Sequence, residues 1–344
     1  MKTFIKLLIL SLCLSLTAFG FACKKDKNPT AESVKEREPS VGLEYVLNED
    51  GLSYTVVGLG VCEDADVVIP ADYNDLPVTA IGRRAFDSEN NLKSVVVGDN
   101  VTTIGEDAFA CSENLTSIKI GDSVTTIADY AFCLCYSLAK IEVSPSNVAF
   151  KSINGNLYSK DGKMLIQYAI GKKDAKFVVP NGVETIGYMA FYECSNLTSV
   201  EISDSVITIG DRAFSFCGNL TSAKIGNGVI TIGEEAFSSC ESLVNLTVGN
   251  SVETIGAEAF YFCSSLEVLS LGDSVTIIGE KAFYWCYYLE AVELGEGISV
   301  IGDRAFESCS AIKNVYYKGT ESTWAEISIG SFNEKLTKAT RHYV

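Results

Sequence analysis

Histidine and basic side chains are scarce in this chain of 344 residues. The single histidine, His342, argues against histidine-based catalytic triads and histidine-rich zinc sites. Lys and Arg number 27 against 44 Asp and Glu, which gives a formal net charge of -17. Because nucleic acids and anionic lipids attract basic surfaces, we expect neither as an electrostatic partner.

The sequence also lacks the motifs of phosphate-binding and metal-binding sites. The glycines recur with a fixed spacing and mark turns, and the sequence contains no glycine-rich phosphate loop. Among the twelve cysteines, Cys133 and Cys135 are the only close pair, so the spacing of Cys-x-x-Cys metal sites is absent. Carboxylates such as Glu106 and Glu234 fall on variable positions, which a solvated face explains. We expect no catalytic residue, no cofactor and no metal.

The first residues predict export. Lys2 and Lys6 flank the start of an uncharged apolar run of 16 residues, Leu7 to Ala22. This run is short for a membrane span and fits a signal peptide over residues 1–22. Ala22-Cys23 followed by lysines resembles a bacterial lipoprotein cleavage site, which implies lipid on Cys23; simple secretion is the alternative.

One phrase recurs through most of the chain. It opens with an Ile, usually followed by Gly, and returns every 23 residues apart from one interruption. A fixed period of this size indicates a solenoid, in which stacked copies bury a core that no single copy buries alone. Nine copies open at Ile81, Ile104, Ile127, Ile186, Ile209, Ile232, Ile255, Ile278 and Ile301.

Each copy follows one pattern, with positions counted from the opening Ile as zero. Ala and Phe at positions 4 and 5 predict a short turn or helical segment, Cys follows at position 8, and Leu197-x-x-Val200-x-Ile202 is typical of a leucine-rich-repeat strand. These units resemble the BspA-like leucine-rich repeats of bacterial cell-surface proteins, from about residue 65 to 344. The resemblance implies a leucine-rich-repeat solenoid with short parallel strands, and adhesion to proteins of a host matrix or a neighbouring cell.

Other segments depart from the period. Two alternating runs around Asp50-Gly51 predict a hairpin, and the interruption between Ile127 and Ile186 adds 36 residues with a second hairpin signal at Asp161-Gly162. This insertion is either functional or a standard structural variant. Trp324, Ile327, Ile329 and Phe332 are expected to cover the last coil. The predicted segments are a signal peptide (1–22), a flexible tether (23–41), an N-terminal cap with a first degenerate coil (42–80), the array (81–314, with the insertion at about 144–180) and a C-terminal cap (315–344).

Seven cysteines fall at position 8 of successive copies. Coils about 4.7–4.9 Å apart lie within disulfide range, but equivalent side chains in a stack point the same way. We therefore expect a column of small, buried, free thiols, with disulfides as the alternative. The column comprises Cys135, Cys194, Cys217, Cys240, Cys263, Cys286 and Cys309.

Aromatic side chains collect at positions 6 and 7 of several copies and just beyond them. They either form an exposed patch that binds a partner or pack against neighbouring coils and shield the core. The polar strand face around Thr198 and Thr221 is a second candidate surface. The candidate partner-binding residues are Tyr192, Phe216, Tyr261, Phe262, Tyr284, Trp285, Tyr287 and Tyr288.

These observations predict a non-catalytic protein, secreted and lipid-anchored at a bacterial cell surface, that binds a protein partner over an extended repeat surface. The membrane is contacted only through the lipid. One alternative is a structural, self-associating element of the cell envelope. Another is a glycan-acting enzyme with a carboxylate pair, which would need a deep acidic cleft.

Overall fold

The computed structural model describes residues 38–344, which form one compact unit. The predicted signal peptide, the predicted lipid site Cys23 and the tether up to residue 37 lie outside the described residues. At the end of the predicted tether, Ser40 is buried, and its backbone N–H donates to the Val68 carbonyl at 2.9 Å. Within residues 38–344, no helix is long and apolar enough to cross a bilayer.

The structure is a solenoid of short strands, which confirms the predicted fold class. Two helices lie within residues 38–344, α1 (Glu321–Trp324) and α2 (Glu334–Thr337), and both follow the array. The strands are β1 (Glu44–Leu47), β2 (Tyr54–Gly58), β3 (Asp66–Val68), β4 (Asp72–Tyr73), β5 (Leu76–Ile81), β6 (Ser94–Val96), β7 (Thr103–Ile104), β8 (Ser117–Ile120), β9 (Thr126–Ile127), β10 (Lys140–Val143), β11 (Phe150–Ile153), β12 (Asn156–Ser159), β13 (Met164–Gln167), β14 (Lys176–Val178), β15 (Thr185–Ile186), β16 (Ser199–Glu201), β17 (Thr208–Ile209), β18 (Ser222–Lys224), β19 (Thr231–Ile232), β20 (Asn245–Thr247), β21 (Thr254–Ile255), β22 (Val268–Ser270), β23 (Ile277–Ile278), β24 (Ala291–Leu294), β25 (Val300–Ile301), β26 (Asn314–Tyr317), β27 (Ser328–Ile329) and β28 (Thr340–Tyr343).

Each regular copy contributes two strands, and equivalent strands of successive copies pair in parallel. One strand ends on the opening Ile, so that Ile186 pairs with Ile209; the other follows the Leu, so that Val200 pairs with Ala223. The first face forms two separate sheets, β1-β2-β5-β7-β9 and β11-β12-β13-β15-β17-β19-β21-β23-β25-β27. The opposite face divides into β10-β8-β6-β3, β14-β16-β18-β20 and β22-β24-β26-β28.

Between its two strands, each copy runs through a series of turns without a helix. Backbone N–H groups at positions 3, 5 and 7 donate to carbonyls of the next coil; for Arg212, Phe214 and Phe216 the distances are 2.8, 2.7 and 2.8 Å. Arg212 and Phe216 have left-handed backbones with φ of 56° and 60°, and positions 3 and 7 repeat this throughout the array. We call this set of bonds between coils the turn ladder.

Phe and Cys form parallel columns in the core. From Phe191 to Phe306 the rings stack with centroids 4.6–5.3 Å apart. The seven predicted thiols are buried and free. Six of them donate to the Phe carbonyl of the preceding coil at 3.0–3.4 Å. In an earlier copy Ser112 makes the same bond to Phe86 at 2.6 Å, so this position holds a small buried donor.

The glycine after the opening Ile begins a turn, as predicted, and it also has a packing role. The Gly256 carbonyl accepts from the Ala259 N–H at 3.4 Å, which closes the turn. A Cβ on Gly256 would lie 2.6 Å from the carbonyl carbon of Gly233 in the preceding coil, so a side chain at this position would push the two coils apart. Gly51 and Gly162, with φ of 67° and 84°, lie in the turns of hairpins.

The insertion is a three-stranded antiparallel meander, β11-β12-β13, whose last strand pairs in parallel with β15. The predicted Asp161-Gly162 turn joins β12 to β13, which confirms the hairpin signal. Strand β12 lies between two hydrophobic cores: Leu157 packs into the N-terminal core and Tyr158 into the C-terminal one. Because side chains alternate along a strand, one strand serves both cores.

The two ends of the unit differ from the array. Strands β1 and β2 form the antiparallel hairpin expected around Asp50-Gly51. In the tail, Trp324 and Ile327 are buried, and the Arg341 guanidinium lies 4.1 Å from the Trp324 ring centroid. Phe332, which was expected to cover the last coil, is instead 49% exposed beneath the Arg304 guanidinium.

Candidate binding surfaces

Five of the predicted aromatic residues form one connected cluster on two adjacent coils. The Tyr261 ring stacks on Tyr284 with centroids 5.6 Å apart and lies 5.4 Å from Trp285. Phe262 bridges Trp285 and Tyr287, at 5.8 and 6.2 Å. Tyr288 follows directly in sequence. We call these six residues the aromatic cluster.

The aromatic cluster is partly packed and partly exposed. Tyr261, Phe262, Tyr284 and Trp285 are half-buried and pack against one another, whereas Tyr287 and Tyr288 are exposed, the latter by 65%. Phe262 and Trp285 occupy left-handed positions, so the turn ladder itself directs these large side chains outward. The half-buried rings thus support an exposed pair.

The other two candidates lie apart from the aromatic cluster. Tyr192 and Phe216 form an edge-to-face pair with centroids 5.5 Å apart, and Phe216 is 48% exposed. The copy between this pair and the cluster carries Ser238 and Ser239 at positions 6 and 7. The residues predicted as one patch therefore form two separate groups, with the two serines between them.

Charged residues border the aromatic cluster. Lys281 pairs with Glu258 at 2.9 Å and with Glu280 at 3.5 Å. Burial, and then the nearby Glu258 carboxylate, raise the pKa of Tyr261 above its ordinary value. Glu267 and Glu280 are exposed on the same two copies. The border is predominantly acidic.

The polar strand face is occupied by bonds within the solenoid. The Thr221 hydroxyl donates to the Thr198 carbonyl of the preceding coil at 3.0 Å. The Asn219 side-chain amide donates to the Ser195 carbonyl at 2.8 Å. These side chains connect adjacent coils, so their donors are not free for a partner.

A cleft that sequence reasoning missed lies where the insertion interrupts the array. It has a volume of about 80 Å³ and lies between the copy that opens at Ile127 and the copy that opens at Ile186. Its lining includes Tyr130, Cys133, Ile166, Tyr188, Met189 and Tyr192. The Tyr130 and Tyr188 hydroxyls meet at 2.5 Å, and the Tyr136 hydroxyl donates to the Glu193 carboxylate at 2.5 Å. We call this site the junction cleft.

The junction cleft exists because the coil beside it is short. Leu165 pairs with Ile186, and Lys176 pairs with Ser199, so the two coils are in register at both strands. Eleven positions separate Leu165 from Lys176, whereas thirteen separate Ile186 from Ser199. The short coil lacks the outer part of the turn segment, which leaves a gap. A departure from Ile-Gly to Ile127-Ala128 is the only local sequence signal.

The described residues offer little reactive chemistry. No group of three or more His, Cys, Asp or Glu side chains within residues 38–344 is placed to hold a metal ion. Burial raises the pKa of the Cys135 thiol to about 12, and burial and the Glu193 carboxylate raise that of Cys133 to about 12. Both thiols stay protonated at neutral pH and are poor nucleophiles.

Comparison with known proteins agrees with this architecture. The BspA type leucine rich repeat region matches residues 72–173, 168–267 and 207–337. A leucine-rich repeat protein from Eubacterium ventriosum is 24% identical, with a TM-score of 0.59 over 85% of this chain and 92% of that one. The pneumococcal vaccine antigen PcpA is 19% identical, with a TM-score of 0.55 over 87% of this chain and 82% of that one. No curated protein sequence matches. The chain belongs to the BspA-type leucine-rich repeat family.

Proposed function

We propose that this protein is a non-catalytic binding protein of the cell surface, and that the aromatic cluster anchors a protein partner. The observation that carries the proposal is the exposure of Tyr287 and Tyr288 above packed rings that include Trp285. Rigid, partly exposed Tyr and Trp side chains supply large contact areas at a low cost in side-chain entropy.

The negative charge of the protein favours a basic partner. The protein has a formal net charge of -17, and Glu267 and Glu280 lie on the copies that carry the cluster. Exposed aromatic faces attract Arg and Lys side chains, and an acidic border speeds encounter with a basic surface. We expect a partner with arginine or lysine at the contact, such as a basic protein of a host matrix or a neighbouring cell.

Binding is proposed in preference to glycan hydrolysis, which ordinarily needs two carboxyl groups about 5–10 Å apart. Asp129 lines the junction cleft, and Glu193 adjoins it but accepts a hydrogen bond from the Tyr136 hydroxyl. Glu63 and Glu334 each line a separate depression. The engagement of Glu193 within the protein supports a binding role for this surface.

The same proposal includes a lipid anchor on Cys23. A lipid at that position would hold the solenoid at a membrane through the polar stretch that follows. Replacement Cys23→Ser is expected to move the protein from the membrane fraction to the medium. Its continued presence in the membrane fraction would contradict lipidation.

The binding proposal is tested with the purified protein on immobilised extracellular-matrix proteins and on whole cells. We expect saturable binding that weakens at high salt, because screening removes the attraction between an acidic border and a basic partner. The double replacement Tyr287→Ala and Tyr288→Ala should weaken it by at least tenfold, since it removes the two exposed rings of the aromatic cluster.

A matched control uses the second aromatic pair. Phe216→Ala also removes an exposed aromatic side chain, but it lies outside the aromatic cluster and is expected to bind normally. Equal binding by wild type and the Tyr287/Tyr288 variant would overturn the proposed site. Association of the protein only with itself would favour a structural role in the cell envelope.

A further inference from the structure

One copy of the array has an open backbone edge. In the copy that opens at Ile104, the N–H groups at positions 3, 5 and 7 donate to the next coil at 3.3, 2.9 and 2.9 Å. In the copy that opens at Ile127, the equivalent N–H groups belong to Tyr130, Phe132 and Leu134. Within residues 38–344, none of these three N–H groups donates to a carbonyl, and the Leu134 N–H lies beside the Cys133 sulfur. Three N–H groups in a row therefore lack the carbonyl partners that the copy at Ile104 has.

The carbonyls of this copy show on which side the edge lies. Asp129, Ala131 and Cys133 accept bonds from the preceding coil, at 3.3, 2.9 and 2.9 Å. These three carbonyls point toward the preceding coil. The N–H groups of Tyr130, Phe132 and Leu134 alternate with them along the turn ladder and point the opposite way, toward the junction cleft. The cleft is lined by this same run of residues.

Unpaired carbonyls lie on the opposite wall. In regular copies, carbonyls at positions 2, 4 and 6 accept bonds from the preceding coil. At the cleft, only the Ala190 carbonyl does so, from the Tyr168 N–H at 2.9 Å. The carbonyls of Tyr188 and Tyr192 accept no hydrogen bond from the described part of the chain. The cleft is thus bounded by donors on one side and acceptors on the other.

We propose that the junction cleft binds an extended peptide segment of a partner protein, which adds to the turn ladder as the missing part of a coil. Unpaired backbone groups at a sheet edge are a template for strand addition, and the peptide's own N–H and carbonyl groups match the two walls. Ile127 is only half-buried, whereas Ile104 and Ile186 are buried, so a bound segment would also cover apolar surface.

The cleft selects the composition of such a segment. The cleft is small, about 80 Å³, so small side chains are favoured in the part of the segment that enters it. Asp129 lines the cleft and Glu193 adjoins it, so basic residues at the ends of the segment are favoured. We expect a short run of Ala, Ser or Gly flanked by Lys or Arg.

Two tyrosine contacts close the rim in the absence of a peptide. The Tyr130 and Tyr188 hydroxyls meet at 2.5 Å, and Tyr136 donates to Glu193 at 2.5 Å. Both contacts join the two sides of the cleft, so a peptide has to separate them. Removing one hydroxyl is expected to strengthen peptide binding by about fivefold, the equivalent of one neutral hydrogen bond.

The probe is the acetylated and amidated heptapeptide Lys-Ser-Ala-Ser-Ala-Ser-Lys, titrated into the full protein. Hydrogen exchange read by mass spectrometry should show slower exchange in residues 128–135 when the peptide is present. A peptide with its three central amides N-methylated has the same charge and side chains, but a methyl group replaces each of the three hydrogens that would be donated to the Tyr188 and Tyr192 wall. It should protect this segment at least tenfold less well at equal concentration.

Two replacements of isoleucine by tryptophan test whether the heptapeptide binds in the junction cleft. Ile166→Trp fills the cleft, whereas Ile207→Trp adds the same side chain on the exposed face of a regular copy. The first should abolish protection by the heptapeptide, and the second should leave it unchanged. Tyr130→Phe, which keeps the ring, should bind more tightly, and it provides a test that does not depend on the folding of Ile166→Trp.

Several outcomes would overturn the proposal. They are an absence of protection by the heptapeptide in both wild type and Tyr130→Phe, equal protection by the N-methylated peptide, and protection that survives Ile166→Trp. A dimer of wild type that Ile166→Trp dissociates would assign the edge to a second copy instead. Normal peptide binding by the Tyr287/Tyr288 variant separates this site from the aromatic cluster.

Discussion

The regular array from Ile186 to Cys309 and the junction from Ile127 to Ile186 are built from the same phrase but differ in their hydrogen bonding. In the array, each turn segment from the copy at Ile186 to the copy at Ile278 donates three backbone bonds to the next coil, and Phe rings stack without a break. At the junction the Phe132 ring stacks on one side only, on Phe109 at 5.8 Å, and the turn ladder is open. The comparison shows that coil length, as well as side-chain pattern, closes the ladder.

The largest expected difference between the two regions is in the Phe column. Phe237→Ala removes a ring stacked on both sides, at 4.9 and 5.3 Å, and is expected to lower the free energy of unfolding by about 3–5 kcal/mol. Phe132→Ala should cost less, because the neighbouring cleft lets the site relax. Urea denaturation measures both. Equal losses would contradict a difference in packing between the array and the junction.

The next largest effect is the loss of stability when a side chain is added between two coils. Gly256→Ala places a Cβ 2.6 Å from backbone of the preceding coil and should destabilise the protein by about 1–3 kcal/mol. Gly218→Ala, with nothing within 4 Å of its Cβ, is the control and should be neutral or slightly stabilising. A neutral Gly256→Ala would show that the coils are spaced more widely than described here.

Removing the hydrogen-bond donor at position 8 should lower the stability by a smaller amount. The Cys240 thiol donates to Phe214 at 3.2 Å, and Ser112 shows that a hydroxyl forms the same bond. Cys240→Ala is expected to cost about 1 kcal/mol more than Cys240→Ser, because it leaves a buried carbonyl with one partner fewer. Thermal unfolding of the two variants checks this order. Greater stability of the alanine variant would contradict a role for the thiol as a donor.

The smallest expected effect concerns the Cys263 thiol, which should not react with an alkylating reagent in the native protein. Burial raises the pKa of Cys263 far above its ordinary value, so the neutral thiol persists through the alkaline range in the native protein. Iodoacetamide at pH 8.5 should leave Cys263 unmodified, whereas the half-buried Cys62 reacts slowly. Denaturant should expose both. Labelling of Cys263 in the native protein would mean that the array opens locally.

The array could be predicted from sequence because its period is strict. A spacing of 23 residues between opening Ile residues fixed the parallel register, and Cys at position 8 correctly predicted a buried, free column. Each copy packs against another copy of the same pattern, so equivalent residues contact one another and the register and the Cys column follow from the period. The hairpin at Asp161-Gly162 was predictable for a local reason, its turn residues.

The candidate sites were only partly predictable. The sequence places aromatic residues at positions 6 and 7, but their division into a cluster and a pair depends on contacts between coils, such as Phe262 with Tyr287. The junction cleft was missed because Tyr130 and Tyr188 are 58 residues apart in sequence and meet only across the insertion. No local pattern reports that a coil is two positions short, since strand register becomes visible only in three dimensions.

Residue-resolved hydrogen exchange of the free protein tests the comparison most directly. The account predicts that the amides of Tyr130, Phe132 and Leu134 exchange at least a hundredfold faster than those of Phe214 and Phe237, which donate at 2.7 Å to the next coil. Equal protection of the two sets would mean that the turn ladder continues through the junction, and it would contradict an open edge there.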